Sequence, residues 1–299
     1  MLRTALVTAL VAACCLLAVS LAATHPVSAI TGAALDPPPY PPGSRGAVQL
    51  AVPNLEDGAC MAYPPTSGQA GKTVFIDPGH GGPDPGVVGI AAGHQVAEKD
   101  ATLAVATRLS DLLRADGYRV VLARTTDSSV VKLASAELDG GTMTADGVRH
   151  DLETRIACAN AADASVLVSI HFDGFNDPSV GGTETFYDSQ RPFAGSSKRL
   201  AQDLQAALVS GLGSTDRGVW TDDQVGPALT TAGNNYGHLI LLGPPQAGYV
   251  DQPSQMPGAL VEPLFVTDPA DAAVLSDAGG QQRIAKALEA GIQKYLSGS

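Results

Sequence analysis

Basic side chains are the scarce class in this chain. Of its 299 residues, 18 are Lys or Arg and 30 are Asp or Glu, a formal net charge of −12. That balance argues against nucleic acid and anionic membrane as partners held by charge. Charged residues of both signs reach only 16% while hydrophobic ones reach 44%. Such a composition speaks against global disorder and provides a packed core for one large domain or two small ones. No period of 20 to 50 residues recurs, so an appended repeat array is absent.

Cysteine is also sparse, and its meaning depends on the N-terminus. Arg3 precedes an uncharged apolar run over residues 4–23, and Val27-Ser28-Ala29 offers small residues for cleavage. Residues 1–29 therefore read as a signal peptide. Two rivals are an uncleaved anchor, since the run nears the length of a membrane span, and a lipoprotein signal at Val11-Ala12-Ala13-Cys14. The expected destination is the periplasm, cell wall or exterior. Cys14 and Cys15 leave with the leader, so Cys60 and Cys158 remain and read as one disulfide in an oxidising compartment.

Residues 30–70 are rich in Pro and Gly, with Pro37, Pro38, Pro39, Pro41 and Pro42 barring helix and central strand. They read as an extended arm ahead of a domain over residues 71–299. From Lys72 the pattern alternates. Strands are expected at 73–77, 118–123, 165–171, 182–187, 238–242 and 259–261. Helices are expected at 100–115, 151–162, 196–209 and 281–295, the first on the spacing of Leu103, Ala106, Leu109, Leu112 and Leu113. The alternation implies a single α/β domain with a twisted, mostly parallel or mixed sheet and helices on both faces. In such sheets the loops at the strands' carboxyl ends build the site.

Three expected strands run into residues with chemistry. His80 follows the first in Asp77-Pro78-Gly79-His80-Gly81-Gly82, where glycine permits a tight turn. His171 closes Val166-Leu167-Val168-Ser169-Ile170. Two histidines at two such ends can converge, and imidazole is the commonest metal ligand. Catalytic zinc takes three protein ligands and leaves a position open, with His2Glu among its known sets. Glu98, just before the first long helix, is preferred as the third ligand. His94 is the rival should 94–98 be helical, but Gly89 and Gly93 argue for a loop. Glu262 ends the strand at 259–261, where a carboxylate can move a proton between water and a leaving nitrogen.

The ordered set Asp77-Pro78-Gly79-His80-Gly81-Gly82, Glu98-Lys99-Asp100, Arg124-Thr125, Arg155 through Asn160 to Asp163, Ser169-Ile170-His171 and Val261-Glu262 resembles the zinc-dependent N-acetylmuramoyl-L-alanine amidases of the third amidase family. The resemblance runs from about residue 72 to the end. It implies one Zn2+ per chain on His80, Glu98 and His171, Glu262 as the catalytic glutamate, and a sheet of about six strands. It implies peptidoglycan or a muropeptide as substrate, cut between N-acetylmuramic acid and L-alanine, by an exported monomer with no membrane contact after signal cleavage. Glu184 matches a recurrent position, read here as supporting the site, and Asp173 stands where the family usually has Asn. Pro263-Leu264-Phe265 and Thr267-Asp268 also depart from its pattern. Residues 243–257 look longer than usual and are expected to rim the cleft. Residues 128–148 look inserted, but are too polar and Gly-rich to read as a blocking helix. Rival readings are a different zinc peptidase or deacylase of similar fold, and a non-catalytic wall-binding protein.

Overall fold

Val74, Phe75 and Ile76 have no exposed surface, because their strand is covered on both faces, as parallel strands are. The computed structural model describes residues 46–224 and 236–298. Its strands are β1 (Val48–Gln49), β2 (Ala59–Tyr63), β3 (Thr73–Pro78), β4 (Val88–Ala91), β5 (His94–Ala97), β6 (Arg119–Arg124), β7 (Leu138–Asp139), β8 (Thr142–Met143), β9 (Val166–Ile170), β10 (Thr183–Tyr187), β11 (Asp216–Thr221) and β12 (Gly258–Glu262). Its helices are α1 (Glu98–Ala115), α2 (Ala145–Ala161), α3 (Ala194–Leu212), α4 (Pro269–Ser276) and α5 (Ala278–Ser297). The expected signal peptide and the proline cluster at 37–42 lie outside the described residues.

The main sheet has 8 strands in the order β1-β2-β6-β3-β9-β12-β10-β11, not about six. The extra strands come partly from the N-terminal arm, since β2 pairs antiparallel with β6 and β1 with β2. Strands β6, β3, β9 and β12 run parallel, so their carboxyl ends share one edge. Strand β10 runs antiparallel to β12 and parallel to β11. The carboxyl ends of β10 and β11 therefore lie at the opposite edge.

Helices cover both faces. Leu109 and Leu113 of α1, Leu200 and Leu204 of α3, and Ile284 and Leu288 of α5 pack with Val74, Ile76 and Val168 on one face. Ile156, Cys158 and Ala159 of α2 pack with Phe75, Val121 and Leu167 on the other, joined by Leu241, Leu242 and Met256. A disulfide joins Cys60 of β2 to Cys158 of α2 across a sequence separation of 98.

Two expectations need correcting. Residues 238–242 are not a strand: Leu242 N–H donates to Leu239 O at 3.0 Å and Gly243 N–H to the same carbonyl at 2.7 Å, a tight turn. The strand in that part of the chain is β11 instead. The stretch around His94 is not a loop but an antiparallel hairpin, β4 with β5. Residues 243–257 lead into the amino end of β12, with Asn160 Nδ2 donating to Pro253 O at 3.2 Å. The middle of this segment packs against the first half of α2, with the Arg149 guanidinium over the Tyr249 ring at 5.4 Å.

Candidate metal centre

The turn after β3 bears the first donor. His80 has φ of 60°, a region that side chains with a Cβ enter at a cost. Two buried guanidinium groups hold it there. Arg155 Nη2 donates to His80 O at 2.7 Å and Nη1 to Pro78 O at 2.9 Å. Arg124 donates from Nη2 to Gly79 O at 2.9 Å and from Nε to Pro78 O at 3.0 Å. Arg155 is itself fixed by Asp77 and Asp151, at 2.6 and 2.8 Å. Ser169 Oγ donates to the other Asp77 oxygen at 2.7 Å. Lys99 Nζ closes the loop by donating to Gly82 O at 2.9 Å and pairing with Asp127 at 2.8 Å.

Three donors then meet. His80 Nε2 lies 3.0 Å from Glu98 Oε1. His171 Nδ1 lies 3.0 Å from the same oxygen and 3.1 Å from His80 Nε2. His171 follows β9 directly, its N–H bound to Val261 O at 3.0 Å. Glu98 opens α1 and is aimed by backbone donors: Phe172 N–H to Oε1 at 3.0 Å and Val87 N–H to Oε2 at 2.9 Å. Asp84 Oδ2 sits 2.8 Å from His80 Nδ1, which places the ring proton on Nδ1 and leaves the Nε2 lone pair facing the other donors.

This arrangement fits a small cation. Donors about 2.0–2.1 Å from a tetrahedral zinc lie about 3.3 Å apart, close to the separations here, and the three residues could together hold a metal ion. Room for the rings depends on two glycines. A Cβ at Gly79 would overlap the His171 ring, and one at Gly86 would fall 2.5 Å from Glu98 Oε2. Without a cation the donors compete for protons. Burial opposes a charged His80, but the Glu98 and Asp84 carboxylates push its pKa up to about 10. Burial likewise works against a charged Glu98, yet His80 holds that carboxyl well below the usual range.

Glu262 ends β12 beside this group, since Val261 is in register with Ile170 on β9. It faces Glu184 across the β10–β12 pair. Glu184 is 2% exposed and lies 3.4 Å from Arg217 Nε. Burial pushes the Asp173 carboxyl well above the usual range, with the hydrogen bond and charge of Glu184 adding to it. His94 is exposed on β5 and takes no part in the cluster.

Sequence reasoning missed Asp84, which carries no signal beyond its place four residues after His80. It also missed the task of Arg124 and Arg155, whose cue was a charged side chain inside otherwise apolar elements. A second cluster at the far edge, Asp188 with Asp222 and His238, escaped it entirely.

The family described as N-acetylmuramoyl-L-alanine amidase matches residues 74–294. The uncharacterized protein YqiI of Bacillus subtilis (strain 168) is 35% identical over 226 residues, which are 75% of this chain and 85% of that protein. N-acetylmuramoyl-L-alanine amidase LytC of the same strain is 32% identical over 225 residues, which are 75% of this chain but only 36% of LytC. Among solved structures, the CwlD amidase from Clostridioides difficile, in complex with the GerS lipoprotein, matches with a TM-score of 0.58 at 28% identity. That match covers 76% of this chain and 100% of the other.

Proposed function

The chain belongs to the N-acetylmuramoyl-L-alanine amidase family, and on that premise we propose that it hydrolyses the amide bond joining N-acetylmuramic acid to the L-alanine of the stem peptide in peptidoglycan, with one zinc ion on His80, Glu98 and His171. The observation that carries this reading is the meeting of His80 Nε2, Glu98 Oε1 and His171 Nδ1 within 3.1 Å, at the strand edge that also bears Glu262. When bound, zinc supplies Lewis acidity, which polarises an amide carbonyl and makes water a nucleophile near neutral pH.

The side chains do the rest. The carboxylate of Glu262 takes a proton from the attacking water and delivers it to the leaving nitrogen as the C–N bond breaks. Asp84 orients His80, and the Phe172 and Val87 amides orient Glu98, so the donors are set before substrate arrives. The histidine side chains are 22% and 17% exposed against 3% for Glu98, so substrate approaches over the imidazoles. The substrate lies outside the cytoplasm, and the Cys60–Cys158 disulfide suits an oxidising compartment. Among the described residues no helix is long and apolar enough to cross a membrane.

The test is product analysis. The purified chain, given a muropeptide, should release a stem peptide bearing a free L-alanine amine, detectable by mass spectrometry. A chelator should stop the release and zinc restore it. Cleavage within the peptide, or wall binding without turnover in restored zinc, would overturn the reading.

A further inference from the structure

The edge of the sheet away from His80 carries its own group of ligand-type side chains. Asp188 follows the last residue of β10 and Asp222 follows the last residue of β11. His238 belongs to the segment that leads into β12. Asp188 is 2% exposed and Asp222 not at all. Their ligand atoms and that of His238 lie within 4.8 Å of one another.

The bonding of these carboxylates is lopsided. Asp188 Oδ1 accepts from Gln190 and Arg191 N–H at 2.7 and 2.9 Å. Asp222 Oδ2 accepts from Leu239 N–H at 3.0 Å. The remaining oxygens, Asp188 Oδ2 and Asp222 Oδ1, both turn to one atom, His238 Nδ1, at 3.1 and 3.3 Å. One ring nitrogen has at most one proton to give. Its hydrogen bond goes to Asp222, and Asp188 Oδ2 is left buried with no hydrogen-bond donor. The nearby cation does not fill the gap: Arg191 directs its guanidinium to the carbonyls of Gly243 and Ser254. A buried carboxylate oxygen without a partner is costly, and buried charges are found paired or on metals.

We propose that Asp188 Oδ2, Asp222 Oδ1 and His238 Nδ1 bind a divalent transition-metal cation, distinct from the one assigned to His80, Glu98 and His171. The separations of 3.1 and 3.3 Å again approach the edge of about 3.3 Å that tetrahedral zinc requires. One imidazole with two carboxylates suits zinc or a neighbouring first-row ion. Calcium seeks six to eight oxygens, and magnesium prefers water and oxygen ligands. The ion would be structural. It ties the ends of β10 and β11 to the segment entering β12, at the edge away from Glu262, and so touches no substrate.

Zinc alone is the probe. The chain is stripped of metal, reloaded with zinc and dialysed against metal-free buffer, and its zinc content is then measured together with its titration by calorimetry. Wild type should retain two equivalents. His80→Ala/His171→Ala should retain one, and its melting temperature should still rise with zinc. Asp188→Asn should also retain one, and the triple variant none. His238→Gln, which keeps much of the volume, serves in place of Asp188→Asn if circular dichroism shows that variant unfolded. A single equivalent in wild type that disappears in His80→Ala/His171→Ala would overturn the proposal. So would an Asp188→Asn chain that keeps two equivalents.

Discussion

Arg155 Nη1 lies 2.6 Å from Asp77 Oδ1, with the two side chains only 2% and 1% exposed. The pair joins the middle of α2 to the end of β3, and the same guanidinium donates to the His80 carbonyl. Burial alone would keep Asp77 neutral, but the Arg155 charge holds its carboxyl below the usual range. The backbone of His80, the first of the proposed metal ligands, thus hangs from a buried ion pair.

Replacing Arg155 with Met should therefore do two separable things. It strands Asp77 as an uncompensated buried charge, which costs about 3–5 kcal/mol, read as a lower urea midpoint. It also leaves the His80 and Pro78 carbonyls short of donors, so the folded fraction should hold zinc less tightly. A variant with wild-type stability would show that the pair contributes nothing.

The half of the site that was legible in the sequence is the half built on strand ends. His171 and Glu262 each close an apolar run too short for anything but a buried strand, so edge and direction followed from the pattern. Glycine content favours Glu98 over His94 by way of a loop, but the stretch is a hairpin; Glu98, which follows it, lies beside His80 and His171, while on β5 His94 faces solvent. The far edge was illegible. Strand β11 is half-exposed and interrupted by Gly218 at φ of 102°, which hides its period. The run His238-Leu239-Ile240-Leu241-Leu242 mimics a strand, yet Asp222 captures the Leu239 N–H and the chain turns. A side-chain capture across the gap between Asp222 and His238 leaves no periodic trace.

Asp84→Asn tests the orientation of His80. The carboxylate fixes the ring through Nδ1, and partners of that kind are worth about 10- to 100-fold in metal affinity. Competition with a chromogenic chelator should show a loss of that size, with fold and melting profile of the loaded protein little changed. Unaltered affinity would mean that the ring is held by packing alone.

Glu262→Gln keeps the shape of the side chain and removes its ability to take a proton. Turnover should drop about 100- to 10,000-fold, the range of positioned acid–base groups, while zinc at His80, Glu98 and His171 stays at full occupancy. A wild-type rate in folded protein would remove Glu262 from the reaction.

Cutting the Cys60–Cys158 link should destabilise the domain without disabling it. The bridge joins cysteines separated by 98 positions in the sequence, and loss of a native disulfide costs about 2–5 kcal/mol. Cys60→Ala/Cys158→Ala should shift the urea midpoint down accordingly and still turn over at low temperature, since the bridge lies between β2 and α2, away from the metal donors. Equal midpoints with and without reductant would show that it contributes nothing.

The far-edge cluster should reveal itself in the pH dependence of stability. Burial, with the charge of Asp188 adding to it, pushes the Asp222 carboxyl up to about 7, against the opposing pull of the Leu239 N–H and His238. The other groups about the cluster are Arg191 and Tyr236. An unfolded Asp releases its proton near pH 4, at about 3.9. Between those values the folded metal-free chain binds more protons than the unfolded one, so Asp222 makes stability fall as pH rises from about 4 to 7. Asp222→Asn removes that contribution, and the difference between its stability curve and the wild-type curve should slope through this window and level off above it. Zinc bound to the ionised carboxylate changes the sign of the argument. It favours loss of the proton, so in wild type with excess zinc the downward slope should disappear, while Asp222→Asn gains nothing from zinc at this edge. The comparison is made in the His80→Ala/His171→Ala background, where the other metal donors are gone. Parallel curves for both chains, with and without zinc, would show that Asp222 is neither strained by its neighbours nor available to a cation.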